Sequence, residues 1–515
     1  MKIVIVGGGT AGWLSALYLN RLLPNSEITL IESEDIGILG AGEGSVPILP
    51  QFLSSLGINE SDFIKNTNAT FKVGIHFENW KSDGSSYFHP FQLGNFTFLD
   101  TTNLTDSGNP MELGLPDIGV DYPLINFLTN GNDLNENIVS HKLAYTNKSP
   151  YIVEDGRLKM LNQYSYHFDA SLLAKYLKDL AKSRGVQRIV GNVSKINKDV
   201  NGNITSVIAE GITFKSDFVF DCSGFHRLLI GKEYNSNWIS YKDKLKVDRA
   251  IPFFLEQDSD VIKPYTEAIA MDYGWMWKIP LQNRYGCGYI FDSNYINWEQ
   301  AKEEVERFVG KPIKVNRQIE FDAGRFERVW INNCISVGLS SGFTEPLEAT
   351  AIWTIIEQLT HITKPSLESN TKSIRDEYND YVGRFNDSIS DFLHFHYLTN
   401  KTNTPFWKDY QSTTKVSDRT TKKLEMWKTR VPNDFDLKGG NMEVFSTTSW
   451  IYVGVGINES IIPIDVVKKE NNSYGLDKLI KMWINGYIEN FKKVMSKTID
   501  HKKFIDSILK NKITQ

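Results

Sequence analysis

Cysteine is scarce in this chain. Three stand among 515 residues, at Cys222, Cys287 and Cys334, odd in number and far apart. That excludes a disulfide-stapled fold and a paired-cysteine metal module, and it suits a reducing compartment. Long apolar runs are lacking too: no stretch approaches the roughly 20 residues that span a bilayer. The opening "MKIVIVGGGTAGW" has a charge and a short apolar run. The run passes at once into glycine, so it reads as strand and loop and not as a signal peptide. A basic excess is missing: 57 Lys and Arg face 62 Asp and Glu, a net charge of −5 that argues against nucleic acid as partner. Lys492, Lys493, Lys502 and Lys503 read as a solvated helix face. Histidine is sparse as well. His394 and His396 would share one face of a strand, but no third ligand lies near them, so no metal is expected. Internal repeats and low-complexity linkers are absent. What remains is a cytoplasmic globular protein, long enough for two or three modules.

Within those bounds the N-terminal pattern is specific. "KIVIV" (2–6) is a continuous apolar run, as expected of a strand buried on both faces. Gly7, Gly9 and Gly12 follow, then apolar residues at helical spacing up to Pro24, then "EITLIE" ending at Glu32. Strand, glycine loop, helix, strand and acid make a dinucleotide-binding unit. Gly7 permits the tight turn, Gly9 lets a pyrophosphate approach, and Gly12 lets helix and strand pack. Free N–H groups at the helix start favour phosphate. Glu32 stands where a carboxylate accepts from ribose hydroxyls. The strands expected in "FKSDFVFDCSGFHRLL" (214–229) and "WINNCISVGLSSGF" (330–343) would return beside the first one. A dinucleotide domain split by insertions at roughly 80–165 and 230–325 favours FAD over NAD. Asp169 is the expected N-cap, and Gly185 the end, of a helix with an apolar stripe from Leu172 to Leu180. Leu479, Trp483, Tyr487, Phe491 and Met495 repeat every four residues and predict a packed helix.

"YGWMWKIPLQ" (273–282) is denser in aromatic surface than a soluble chain usually offers. Trp275 and Trp277 are two apart, so on a strand they face the same way. Core packing explains them on this evidence alone.

Three stretches together carry a resemblance: "GGGTAGW", "GWMWKIP" and "FKVGIHFENW" (71–80). The chain resembles the flavin-dependent halogenases of the tryptophan-halogenase family. "GAGEGSVP", "YHFDASLLA", "DCSGFHRLL", "GFTEPLEAT" and "TPFW" extend the likeness to about residue 410. The implied fold class is α/β, a FAD-binding domain of the glutathione-reductase type with inserted strands and a largely helical substrate-binding module. The expected division is 1–80, 165–230 and 325–365 for FAD, and 81–164, 231–324 and 366–515 for substrate.

The implied reaction converts halide, O₂ and FADH₂ into hypohalous acid, which the protein must hold and aim. The resemblance assigns Lys72 to that task, as an ammonium that polarises the acid or as an amine that forms a haloamine. A surface lysine is the bland alternative, and the apolar run "ATFKVGIHF" speaks against it. Glu348 would stabilise the cationic intermediate and take its proton. It is also explained by capping, since Pro346 and Glu348 look like a helix's first turn. Halide would bind the amides of Thr350 and Ala351, with alanine where the family usually has glycine; that departure points toward bromide or iodide. By resemblance Gly7, Gly9, Thr10, Ala11, Gly12, Trp13, Glu32, Ala41, Val193, Leu339 and Ile352 line FAD, and residues 39–50 form a strap. Trp275, Trp277 and Pro280 would shield substrate from flavin. The resemblance implies that FADH₂ arrives by diffusion from a separate reductase, and the lack of a second dinucleotide loop agrees with that. The substrate would be an electron-rich indole, pyrrole or phenol, with Ser449, Trp450 and Tyr452 near it; a homodimer is left open. The rival readings are a FAD monooxygenase and a silent flavin-binding protein.

Overall fold

The computed structural model describes residues 1–33, 42–91, 138–257, 259–437, 442–463, 465–466, 468–469 and 491–511. It divides into two compact units. The first holds Met1–Ala69, Phe168–Asp248 and Glu320–Ser390; the second holds Thr70–His167, Arg249–Ile319 and Asp391–Gln515. The sequence expectation drew its first boundary at residue 80; the units draw it at 69, which places the Lys72 strand in the second.

The first unit is built on a six-stranded sheet in the order Gln187–Val190, Glu27–Glu32, Lys2–Val6, Phe218–Asp221, Cys334–Ser336, Trp330–Ile331. The first four pairings are parallel and the last is antiparallel. The two late strands thus return beside Lys2–Val6, as the apolar runs predicted. The helix Ala170–Ser183 is capped by Asp169, whose side chain accepts from the N–H groups of Ser171 and Leu172. Gly185 follows it with φ +90°, a conformation that glycine adopts without the Cβ penalty. The periodic run from Leu479 to Trp483 and Tyr487 lies outside the described residues.

The second unit carries a mixed sheet in the order Arg249–Glu256, Arg284–Phe291, Gly274–Pro280, Thr266–Ala270, Gly74–Glu78, Tyr87–Pro90. Only Thr266–Ala270 and Gly74–Glu78 run parallel among these. Met276 points to one face, into a core with Ile269, Cys287, Tyr289 and the helix residues Ala301 and Val305. Trp275 and Trp277 take the other face by strand alternation. Their ring centroids lie 6.0 Å apart with planes tilted by 57°. Small residues make room for these indoles: Ala270 pairs Trp275, and Ala268 and Gly288 flank Trp277. Trp80 and Trp407 pin the neighbouring strand, donating to the carbonyls of Ala268 at 3.0 Å and Met271 at 2.8 Å.

The condition on which His394 and His396 would share a strand face is not met: they lie at the end of the helix Lys372–His396. Tyr378, Val382, Phe385, Ile389 and Phe392 recur at three- and four-residue steps, and all five are buried. That helical period decides the conformation. Among the described residues no helix is long and apolar enough to cross a membrane, and no His, Cys, Asp and Glu group could hold a metal.

Two outcomes are expected from this packing. A Cβ at Gly288 would lie 2.1 Å from the Trp277 ring. Gly288→Val should therefore cost about 1–3 kcal/mol, read from urea unfolding; an unchanged midpoint would mean that Trp277 does not lie over Gly288. Burial also holds His141 down to about 3 and His76 and His501 to about 4. The unfolded chain binds protons there near pH 6.5 and the folded chain does not. This contribution is fully present above about pH 6.5 and is lost as pH falls toward 4. His141→Phe should flatten that decline in unfolding free energy measured between those limits.

Candidate active site

In the first unit the glycine loop shows three separate demands. Gly7 has φ +113°, and a Cβ there would meet the Cys222 carbonyl oxygen at 2.1 Å. A Cβ at Gly12 would meet the Gly7 carbonyl oxygen at 1.9 Å, so that glycine is needed for packing. Gly9 has nothing within 4 Å of its hypothetical Cβ, which leaves an open approach to the backbone. Gly9 is also the N-cap of the helix Thr10–Leu22, and no side chain caps that helix. Its first turn, with Thr10 and Ala11, presents N–H groups and partial positive charge. Trp13 donates its N–H to Gly9 O and buries its indole, so its part is packing. Glu32 ends its strand and takes an ion pair from Arg188 Nε at 2.5 Å. A carboxylate accepts at about four lone-pair positions, so oxygen capacity remains for ribose hydroxyls. These residues fit a FAD: open glycine, uncapped helix start and acid.

Leu339 lies in the turn Gly338–Ser340, and a Cβ at Gly338 would sit 2.8 Å from Ala11 Cβ. That places the turn against the glycine loop. Gln358 ties the same turn to the helix Ala351–Thr360: its Oε1 accepts from Gly338 N–H at 2.9 Å, and its Nε2 donates to Ser336 O at 3.2 Å. Ile352 is buried in that helix. Val193 opens the strand Val193–Lys198 of a separate three-stranded sheet. Ala41 lies outside the described residues. Of the strap, Glu43 is described; desolvation and then the nearby Asp169 push its carboxyl up to about 7.

The Glu348 turn differs from its sequence reading. The helix starts at Ala351, with Thr350 as N-cap, so Pro346 and Glu348 precede it. Ala349 takes φ +56°, a left-handed conformation that a helix cannot contain, and its N–H donates to Pro346 O at 3.0 Å. The special backbone angle of this turn falls on Ala349. Ala351 has ordinary helical backbone and an exposed side chain. Glu345, Glu348 and Thr350 are all buried. No side chain caps this helix and no acid sits in its first turn, an arrangement suited to a small anion.

In the second unit Lys72 ends the strand Thr70–Lys72 and is 0% exposed. Its Nζ stands 4.9 Å from the centroid of the Phe91 ring, a cation–π distance. Phe91 is fixed at both ends of its peptide unit: its N–H donates to Val73 O at 2.7 Å, and its carbonyl accepts from Asn162 Nδ2 at 2.9 Å. Sequence reasoning missed Phe91, Asn162 and Arg188; only "YFHPF" offered a hint, as an aromatic run after the lysine strand. Trp275 is 1% exposed while Trp277 keeps some exposed surface. Pro280 ends their strand and lends its carbonyl to Thr70. Trp450 is buried under Lys423, whose Nζ lies 4.1 Å from the ring centroid and pairs with Glu443 at 2.5 Å. Tyr452 packs on His141, and Ser449 lies in the first turn of the same helix, Thr447–Ile457.

Fold and glycine loop define a flavoprotein. The tryptophan halogenase family model matches residues 2–467. Tryptophan 6-halogenase SttH of Streptomyces toxytricini is 33% identical over 447 residues, 84% of each chain. Tryptophan 7-halogenase RebH of Lentzea aerocolonigenes is 32% identical over 473 residues, 87% of each. Among solved structures, the tryptophan C-6 flavin-dependent halogenase Tar14 from taromycin biosynthesis superposes with a TM-score of 0.84 at 30% identity, over 98% of this chain and 99% of that one. The chain belongs to the tryptophan halogenase family, whose members are flavin-dependent enzymes.

The cradle can be tested without turnover. Gly9→Ala should leave the fold intact, since its methyl meets nothing, yet weaken FAD binding at least about tenfold by filling the phosphate approach. Flavin fluorescence quenching reads it; unchanged affinity would move the phosphates elsewhere.

Proposed function

We propose that this enzyme halogenates an electron-rich aromatic of the indole type, with pyrroles and phenols in the same chemical class. The observation that carries this reading is the complete burial of Lys72 against Phe91. A fully buried lysine is rare, because its ammonium is costly to desolvate, and burial beside a ring face suits an amine kept from water. When bound, reduced FAD supplies the two electrons with which O₂ and halide become hypohalous acid and water.

Lys72 then has two balanced routes. As an amine it takes the halogen from hypohalous acid, its N–H proton leaving with the hydroxyl as water. The aromatic carbon attacks that halogen, the N–X electron pair returns to Nζ, and Nζ takes up one proton to become the amine again, equal to the one the ring will lose. As an ammonium it gives a proton to the hypohalous oxygen as the O–X bond breaks toward the ring, so that the oxygen leaves as water and Nζ is left as a neutral amine. Both routes give a cationic ring that must lose a proton. In this reading Glu348 stabilises the cation and accepts that proton. The uncapped helix start at Thr350 and Ala351, where Thr350 is buried, holds the halide. Trp277, with surface to spare, serves as the shield, while Trp275 backs it.

The test uses purified protein with FAD, a flavin reductase, NADH and air. Chloride and bromide are each offered with tryptophan, indole and phenol, and product is read by mass. Wild type should yield halogenated product. Lys72→Ala should keep FAD binding and peroxide release but lose product by roughly 10²-fold or more, the usual scale for a positioned catalytic group. A mutant that halogenates normally removes Lys72 from the mechanism. Oxygenated product that forms without halide would favour a monooxygenase.

A further inference from the structure

Three of the sequence motifs meet in a buried hydrogen-bonded chain that the reaction itself does not call for. Thr70 and His167 are directly opposite each other in the antiparallel pair Thr70–Lys72 and Ser165–Phe168. Thr70 Oγ1 lies 2.7 Å from Pro280 O and 3.1 Å from His167 Nδ1. Thr266 Oγ1 lies 2.9 Å from His167 Nε2. Thr70 and His167 are fully buried and Thr266 nearly so.

The proton inventory fixes every direction. A carbonyl only accepts, so the single hydroxyl proton of Thr70 goes to Pro280. His167 Nδ1 must then donate to Thr70 Oγ1. Its Nε2 is left to accept from the Thr266 hydroxyl. A neutral His167 is therefore held in one tautomer, protonated at Nδ1. Burial and then the charge of Lys72 hold it well below the ordinary histidine range. A second proton would find an acceptor, because Thr266 can turn its hydroxyl, so hydrogen bonding alone does not forbid a cation. Full burial disfavours it, and the proximity of Lys72 adds to that.

The next residue is held in the same manner. Phe71 N–H donates to His501 Nε2 at 3.1 Å, and His501 Nδ1–H donates to Ile262 O at 2.9 Å. The Phe71 ring sits among Tyr164 at 5.1 Å, Phe504 at 5.5 Å and Tyr151 at 5.9 Å. Two consecutive residues before Lys72 are thus each latched by a neutral histidine.

We propose that Thr70 and His167 are positioning residues for Lys72, a latch that couples the lysine strand to the carbonyl end of the "WMWKIP" strand. This rests on the halogenase reading above. The latch fixes where Nζ stands, and by remaining neutral it adds no charge beside the amine.

Thr70→Val is nearly isosteric and deletes only the hydroxyl; Thr70→Ser retains it. With FAD binding unchanged, Thr70→Val should lower kcat for halogenated product at least tenfold, with KM for the aromatic held and peroxide release raised. Thr70→Ser should recover kcat to within twofold of wild type. A folded Thr70→Val at wild-type kcat overturns the proposal. If it does not fold, Thr266→Val breaks the far end of the chain and is judged by the same ratio of product to peroxide. A second readout needs no halogenation. Brief carbamylation with cyanate, followed by peptide mass spectrometry, compares Lys72 with exposed Lys175. That ratio should change at least threefold in Thr70→Val, and an unchanged ratio overturns the latch. If wild type halogenates nothing while the ratio changes, the functional reading fails and the latch stands.

Discussion

A lysine with no exposed surface has to be held by something, and here it is held by a strand of three residues. Burying an ammonium costs several kcal/mol unless charge, ring face or dipole compensates. Lys72 has the Phe91 ring face. Much of the second unit can be understood as the means of keeping that short strand in place. Ser165–Phe168 pairs with it, His501 reaches its Phe71 amide from the last described helix, and the Pro280 carbonyl receives its threonine hydroxyl. These partners lie 210 residues away for Pro280 and 430 for His501. Ordering so short a strand through remote partners is entropically expensive, and aromatic burial around Phe71 offsets that cost.

In the first unit the glycine loop depends on backbone constraints. Gly7, Gly9 and Gly12 each answer a different steric question, two of turn and packing and one of open approach. Such constraints act over a few residues, which is why the loop, its flanking strands and Glu32 were legible in sequence. The Asp169 cap and the Gly185 stop were legible for the same reason: both are local backbone chemistry. The return of Phe218–Asp221 and Cys334–Ser336 beside the first strand could be anticipated because buried parallel strands read as continuous apolar runs.

What was not legible depends on pairs distant in sequence or on backbone angles that composition does not reveal. Arg188 looks like any strand arginine until it meets Glu32. Gly288 is unremarkable until Trp277 lies across it. Ala349 is the sharper case. Alanine is the best helix former, so "EPLEATAIWTIIEQL" invites one helix from the proline onward. The left-handed angle at Ala349 stops the helix short and leaves Glu348 in a turn, at an order-of-magnitude cost of 1–2 kcal/mol that the surrounding packing must cover. A carboxylate in that turn is free of the role of helical first-turn acid, so capping no longer explains its presence.

The same reasoning changes what the paired tryptophans mean. Shielding and core packing are not rival explanations, because a strand has two faces and two edges. Met276 and its cross-strand neighbours fill the core on one face. On the other, Trp275 is enclosed and Trp277 keeps surface, so the inner indole supports the outer one. At the strand's start a Cβ on Gly274 would strike Ile290 O at 1.9 Å, so only glycine allows that close pairing. At its end Pro280 has no N–H to satisfy but keeps a carbonyl, and that carbonyl is what Thr70 uses. A tryptophan pair spaced otherwise would put one indole into the Met276 core. A strand ending elsewhere would take the carbonyl from the Thr70 hydroxyl and leave only His167 Nδ1 as its acceptor, in the other tautomer. The spacing in "GWMWKIP" is thus set jointly by the core beneath, the indole face above and the lysine strand alongside.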